Sequence, residues 1–368
     1  FCLGFFFFFK PKAFIIINKS LNVEGKNMRQ RLLIAMAYMS VVVGGGFASG
    51  REVVEFFSGS GVWGIGGSIV SAFLFAFVGM QIAQISARMQ AKSHNQVLSR
   101  LFGTTGGAVI DVILNFFLYG VGVIMLAGAG AAFGQQFGWA PITGSILMTV
   151  LVILTLCLNL KSIIYLISAV IPFLLLIIIS IMVYAVFNGN FDVANQNMHA
   201  EQFSVINLLG WTVPSWFMSG VLYACFNIGV GFPMLAVLGG LSKSGKEAGF
   251  GGVLGGLGLG ALIIFLNIAL YLNIDKLHGI DIPTLLLASE IHPALAYLTV
   301  AAVLAMIYST GVGMFFAFAS RWAEPNTNKF RVIAVVTTII GIWLSEYGFG
   351  KLVGSVYPLM GVLGVVIV

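Results

Sequence analysis

The chain has 368 residues, of which 59% are hydrophobic and only 8% charged, with a formal net charge of +6 and a mean hydropathy of +1.04. A soluble surface carries roughly a quarter to a third charged residues, so this composition excludes a soluble domain and leaves an all-α integral membrane protein. In such a chain lysine and arginine matter by where they fall; no nucleic-acid partner is expected, and the lipid bilayer is the partner that composition implies.

Residues 1–27 stand apart. Five phenylalanines at 5–9 are followed by Lys10, Pro11 and Lys12, and the first residue is Phe1, whereas Met28 precedes Arg29, Gln30, Arg31 and a long apolar run. The segment reads as a non-native leader, either upstream read-through or a cloning remnant, which N-terminal sequencing of the expressed protein would settle. A signal peptide would have an apolar core free of lysines and a small-residue cleavage site. The transmembrane domain is then 28–368.

A membrane helix needs roughly 20 mostly apolar residues, and about ten such runs follow. The first is Leu32–Phe57, interrupted by three glycines; the second is Val62–Ile85. The third runs over Ala108–Gly134, the fourth over Pro141–Leu160, and Lys161 separates it from the fifth, Ser162–Phe187. After a polar stretch at Asn188–Gln202 comes the sixth, Leu208–Leu241, which contains Pro214, Gly229, Gly231 and Pro233. The seventh is Gly252–Leu272, followed by a connection with a short surface helix near Ile282–Glu290. The eighth is Ala294–Ala319, the ninth Phe330–Leu344, and the tenth begins at Leu352 and reaches Val368 with no flanking charge, which marks the C-terminus as a candidate truncation.

With a cytoplasmic N-terminus, eleven basic residues fall inside: Arg29, Arg31, Arg88, Lys92, Arg100, Lys161, Lys243, Lys246, Arg321, Lys329 and Arg331. Three fall outside, Arg51, Lys276 and Lys351. That split follows the positive-inside rule and supports both the count of ten and the cytoplasmic N-terminus.

Helix breaks are expected in the first and sixth spans. They lie five helices apart, so the second set of five starts on the opposite side of the membrane, the arrangement of an inverted repeat in which two broken helices meet at the midplane. The repeats are about 28–190 and 207–368. Gly44–Phe47 and Gly229–Phe232 echo one another weakly. Gly128, Gly130 and the glycines of 252–260 are assigned to close helix packing. A broken helix exposes N–H groups at one half-helix end and carbonyls at the other, suited to a carboxylate and a cation respectively. Gly44, Gly45, Gly46, Phe47, Ala48 and Ser49, with Phe226, Asn227 and Gly229, are therefore the substrate-binding candidates. Asn227 serves equally well as an interhelical hydrogen-bonding residue.

The run Gly-Gly-Gly-Phe-Ala-Ser-Gly-Arg-Glu-Val at 44–53, with Phe56 and Phe57 behind it, resembles the signature of the YkvI-type family of bacterial membrane proteins. That family usually reads Gly-Ala-Gly-Phe-Ala-Thr-Gly-Gln-Glu, so Gly45, Ser49 and Arg51 depart from it. The likeness extends over Met28–Val368, including Tyr223–Asn227, and implies the LeuT-type fold of the amino acid–polyamine–cation superfamily. It also implies a sodium site: symporters of that fold place adjacent hydroxyls on the eighth helix, here Ser309 and Thr310, which would join the carbonyls of Val41 and Gly44. Serine and threonine also bond back to their own helix, and both readings stay open. No other cofactor is expected.

Asp111 is an intramembrane acid and so a candidate for proton coupling, although near a helix end it also serves the helix dipole. Tyr119, two turns on, is a substrate-facing candidate. Glu52 and Glu55 are placed in an outer vestibule or paired with Arg51. An enzyme is not expected: Ser49 has no base near it, since His94, His199, His278 and His292 fall in or beside connections, and Cys2, Cys157 and Cys225 have no metal or disulfide spacing. The sequence thus predicts a secondary active transporter, an ion-coupled symporter of amino acids or similar solutes, with a non-translocating amino-acid receptor on the same scaffold as the alternative. Oligomeric state is not legible.

Overall fold

The computed structural model describes residues 23–158, 171–203, 207–208, 211–212, 215–325 and 327–368. Most of the proposed leader, Lys161, the start of the fifth span and Pro214 lie outside these residues. The first span is not a single helix. α1 (Val23–Val42) ends, Gly44 adopts an extended backbone, and the chain resumes as α2 (Gly45–Ser49). Gly50 then turns it at φ 77° into α3 (Arg51–Phe56). That left-handed value suits glycine, which has no Cβ to clash. The expected break is therefore present, sharpened to two joints.

α4 (Trp63–Met89) is followed by α5 (His94–Phe137), in which Gly103 at φ 73° divides a short arm from the membrane span. Then come α6 (Pro141–Leu156), α7 (Ile171–Phe187) and α8 (Val193–Ala200), the last lying in the expected polar connection. A minimal ribbon, β1 (Asn207–Leu208) paired antiparallel with β2 (Trp211–Thr212), precedes the second half. That half contains α9 (Trp216–Gly240), α10 (Gly245–Tyr271), α11 (Pro283–Ile291), α12 (Pro293–Ala319), α13 (Asn328–Ser345) and α14 (Phe349–Gly364). Among the described residues six helices are long and apolar enough to cross a membrane, and three more apolar helices are shorter. With the broken first span these give the ten crossings expected.

The second expected break is absent. α9 is helical without interruption from Trp216 to Gly240, through Gly229, Gly231 and Pro233. Packing explains it: a Cβ on Gly229 would run into the Phe117 ring, and one on Gly231 would lie 3.2 Å from the Tyr38 ring. These glycines admit aromatic side chains from α5 and α1 instead of unwinding the backbone. Pro233 has no N–H to offer the Gly229 carbonyl, but the helix continues past it.

Close glycine contacts also join α10 to α4, where Gly252, Gly256 and Gly260 meet the backbone of Gly79, Ala76 and Ala72. α11 corrects the expectation of a surface helix. Its Pro283, Thr284, Leu285, Leu287 and Ala288 are buried, and the Thr284 hydroxyl donates to the Ala48 carbonyl at 2.7 Å. It caps the broken span from one end.

Candidate functional site

The break in the first span faces a cavity of about 20 Å³. Val41, Val42 and the backbone of Gly44, Gly45 and Gly46 form one wall with Phe47. Phe226, Asn227 and Val230 of α9 stand on another, and Thr310 and Met314 of α12 on a third. Val121 and Met125 of α5, Tyr357 of α14 and Glu52 of α3 complete the lining. One water needs roughly 10–15 Å³ on this measure, so the cavity takes one water-sized particle or a bare cation. An organic solute requires the surrounding helices to separate.

The break is docked on α12. The Gly45 N–H donates to Thr310 Oγ1 at 3.3 Å, and a Cβ on Gly44 would lie 3.2 Å from the same oxygen. Of the adjacent hydroxyl pair, Thr310 lines the cavity. The Ser309 hydroxyl is buried and donates to the Met306 carbonyl one turn back at 3.0 Å. Asn227 lies inside a continuous helix rather than a break, and its amide donates to the Tyr223 carbonyl at 3.0 Å.

Several predicted residues stand elsewhere. Ala48 is engaged by Thr284. Ser49 holds the corner between α2 and α3: its hydroxyl donates to the Gly46 carbonyl at 2.7 Å and accepts from the Arg51 N–H at 3.1 Å. Neither lines the cavity. Tyr119 donates to the Thr337 carbonyl at 3.1 Å and packs on Phe315 and Phe318, so it faces the bundle wall. Gly229 is covered by Phe117.

Asp111 is also remote. It pairs with Arg321, just beyond α12, and with His94 Nε2 at 3.2 Å. This is a clamp between α5 and the end of α12, and it corrects the picture of a lone intramembrane acid. Asp111→Asn is expected to lower the melting temperature slightly, since a partly exposed pair contributes about 1 kcal/mol or less, while the pH profile of uptake keeps its shape. A displaced profile would return Asp111 to a coupling role.

Glu52, expected in an outer vestibule or paired with Arg51, lies instead on the cavity. It is only 3% exposed, its Oε1 accepts from the Tyr223 hydroxyl at 3.0 Å, and a Cβ on Gly46 would lie 2.6 Å from its Oε2. Arg51 turns away, pairing with Glu55 at 2.5 Å and donating to the Ile280 carbonyl at 2.8 Å. The signal was available: Arg51 and Glu55 are spaced i,i+4 and satisfy each other, which leaves Glu52 as the unmatched acid. Among the described residues no three His, Cys, Asp or Glu side chains converge as a metal cluster.

No family model matches the sequence. The chain is 31% identical over 338 residues to the uncharacterized membrane protein YkvI of Bacillus subtilis (strain 168), a match covering 89% of this chain and 91% of the relative. It is 25% identical over 346 residues to YyaD of the same organism, covering 91% and 93%. Among solved structures it is similar to the inward-facing conformation of Mhp1, with a TM-score of 0.66 at 14% identity over 91% of this chain and 73% of that one. It is also similar to MhsT in complex with L-phenylalanine, with a TM-score of 0.62 at 15% identity over 90% and 87%. A Na+-coupled sialic acid symporter in a substrate-bound outward-open state gives 0.52 at 14% identity over 93% and 85%. These neighbours are LeuT-fold transporters, not enzymes, and at such identities the likeness is one of fold.

Proposed function

The chain belongs to the YkvI family of membrane proteins, and on that footing we propose that it is a secondary active transporter. It carries an amino acid or a similar small organic solute across the bacterial cell membrane by alternating access, with a coupled ion. The observation that carries this reading is the meeting of the broken first span, Phe226 and Asn227 of α9 and Thr310 of α12 around one cavity. A pathway that alternates needs a central site between its two halves, and these lining residues come from helices of both. Residues 28–190 and 207–368 are its two repeats, and the N-terminus lies in the cytoplasm.

The coupling ion in this reading is sodium, held by the carbonyls of Val41 and Gly44 with the hydroxyls of Thr310 and Ser309. These are hard oxygen donors of the kind such a cation takes, and Val41, Gly44 and Thr310 share the cavity. Ser309 keeps lone pairs for a cation while its proton goes to Met306. Removing one ligand oxygen forfeits an interaction with a charge worth roughly 1.5–3 kcal/mol. Thr310→Ala is therefore expected to raise the sodium concentration for half-maximal uptake about tenfold or more, and Thr310→Ser to restore it. Equal sodium dependence in Thr310→Ala and the unaltered chain removes the site.

The function itself is tested in proteoliposomes with labelled amino acids under an inward sodium gradient, and again with choline replacing sodium. Concentrative uptake that falls in choline is the expected result. Uptake indifferent to choline removes sodium; binding with no accumulation favours a receptor.

A further inference from the structure

We infer that Glu52 makes the central cavity a cation-recognition site, and that the carried solute presents a positively charged amine to it. The inference rests on the transporter reading and narrows its substrate class. Among the described residues Glu52 is the one charged side chain lining the cavity. Its neighbours are neutral: Tyr223 donates to one carboxyl oxygen, and the Tyr357 hydroxyl stands near the other, 3.2 Å from the Cβ position of Gly46. On its own short helix Arg51 is spent on Glu55 and the Ile280 carbonyl. A buried acid without a cationic partner is costly, and a bound cation relieves that cost.

The polar groups around it favour the same ligand. The Gly45 N–H, the donor a solute carboxylate would want, already goes to Thr310. Asn227 gives one amide N–H to the Tyr223 carbonyl and keeps its oxygen as an acceptor. The Glu52 carboxylate and the Asn227 and Thr310 oxygens put acceptors on the lining, which suits the three N–H bonds of an ammonium group. Phe226 stacks on Tyr357 at 4.3 Å, and aromatic walls attract an ammonium through the ring quadrupole. Glycine at 46 is what lets the carboxylate reach the break: any side chain there would displace Oε2.

The test uses the purified full-length chain in detergent and melting-temperature titrations with three probes of one shape. Phenethylamine is cationic, L-phenylalanine zwitterionic, and N-acetyl-L-phenylalanine anionic with no charged amine; isoamylamine, L-leucine and N-acetyl-L-leucine repeat the set without the ring. Saturable stabilisation by amine-bearing probes and none by the N-acetyl compounds is expected. Glu52→Gln, which still accepts from Tyr223, is expected to weaken amine binding about tenfold or more, with Glu52→Asp intermediate. The inference is overturned by N-acetyl acids binding as tightly as the amines, by no amine-bearing probe stabilising the unaltered chain, or by Glu52→Gln binding amines within about twofold of it. If Glu52→Gln does not purify as a folded protein, the comparison of amines with N-acetyl compounds on the unaltered chain decides. Amine binding without accumulation in proteoliposomes sinks the transporter reading and leaves the cation site standing.

Discussion

Replacing Gly45 with valine is expected to lower uptake about ten- to a hundredfold while the protein still inserts and purifies. A Cβ at this position would lie 2.6 Å from Met125 Sδ, 2.8 Å from Ile307 Cγ1 and 3.0 Å from the Ile307 Cα. Methionine is flexible and gives way at little cost. The Ile307 backbone belongs to a long buried helix, α12, and does not. Overpacking of this kind costs roughly 1–3 kcal/mol, and each 1.4 kcal/mol is a factor of about ten in a population. The cost falls on the arrangement in which α2 lies against α12. A protein that must visit that arrangement in each cycle loses turnover in proportion. Gly45→Ala brings the Cβ without the branch and is expected to give a smaller loss. Initial rates in proteoliposomes, with size-exclusion profiles as the control for folding, measure the effect. A valine variant that transports at the unaltered rate would mean that this close approach has no part in the cycle.

In the transporter reading both ends of the bundle hold contacts that must open in turn. At one end Thr284 grips the Ala48 carbonyl and Arg51 grips the Ile280 carbonyl, so α11 is fastened to the broken span. Gln135 adds to this with hydrogen bonds in both directions to the backbone of Ile282. Elsewhere Arg31 of α1 pairs with Glu247 near the start of α10, and Asp111 pairs with Arg321. The central cavity is too small for an organic solute as it stands, so these helices must separate to admit one.

The first break was legible because three glycines interrupt an apolar run just where charges appear, a conflict that a continuous membrane helix cannot carry. The break in the sixth span was misread because the same residue types serve two ends. At Gly229 and Gly231 the missing side chain makes room for Phe117 and Tyr38, and those rings lie more than a hundred residues away in sequence. Asp111 posed the same problem, since its partner Arg321 is 210 residues distant. Glu52 was grouped with Glu55 for a different reason. A two-turn helix after a glycine joint has no periodicity long enough to say which face looks inward, so its acids could be sorted only by asking which of them Arg51 satisfies. Thr310, which lines the cavity, was singled out through a family likeness; its hydroxyl alone does not distinguish it from Ser309, which bonds back to its own helix.

The largest stability effect is expected at Gly256. Gly252, Gly256 and Gly260 recur every fourth residue and so form one stripe on α10, and that stripe lies against the backbone of α4. A Cβ on Gly256 would stand 2.5 Å from the Ala76 Cα and overlap the Ala76 nitrogen and Phe75 carbonyl carbon. At Gly260 it would stand 2.8 Å from the Ala72 Cα. In a membrane no hydrophobic force draws helices together, so close backbone approach and the dispersion it permits hold such a pair. Gly256→Val wedges the two helices apart along their length, and because backbone cannot swing aside the cost is expected at or above the upper end of the roughly 1–3 kcal/mol typical of overpacking. Against a total of about 5–15 kcal/mol, that is enough to deplete the folded, monodisperse fraction. Gly258→Ala is the matched control. Its Cβ would meet Met39 Sδ at 2.7 Å, the mobile end of a side chain, and the variant is expected to melt within a few degrees of the unaltered protein. Size-exclusion yield and thermal melting of the two variants side by side give the answer. Equal stability would mean that α4 and α10 are not held by this glycine stripe and that some other contact fixes their spacing.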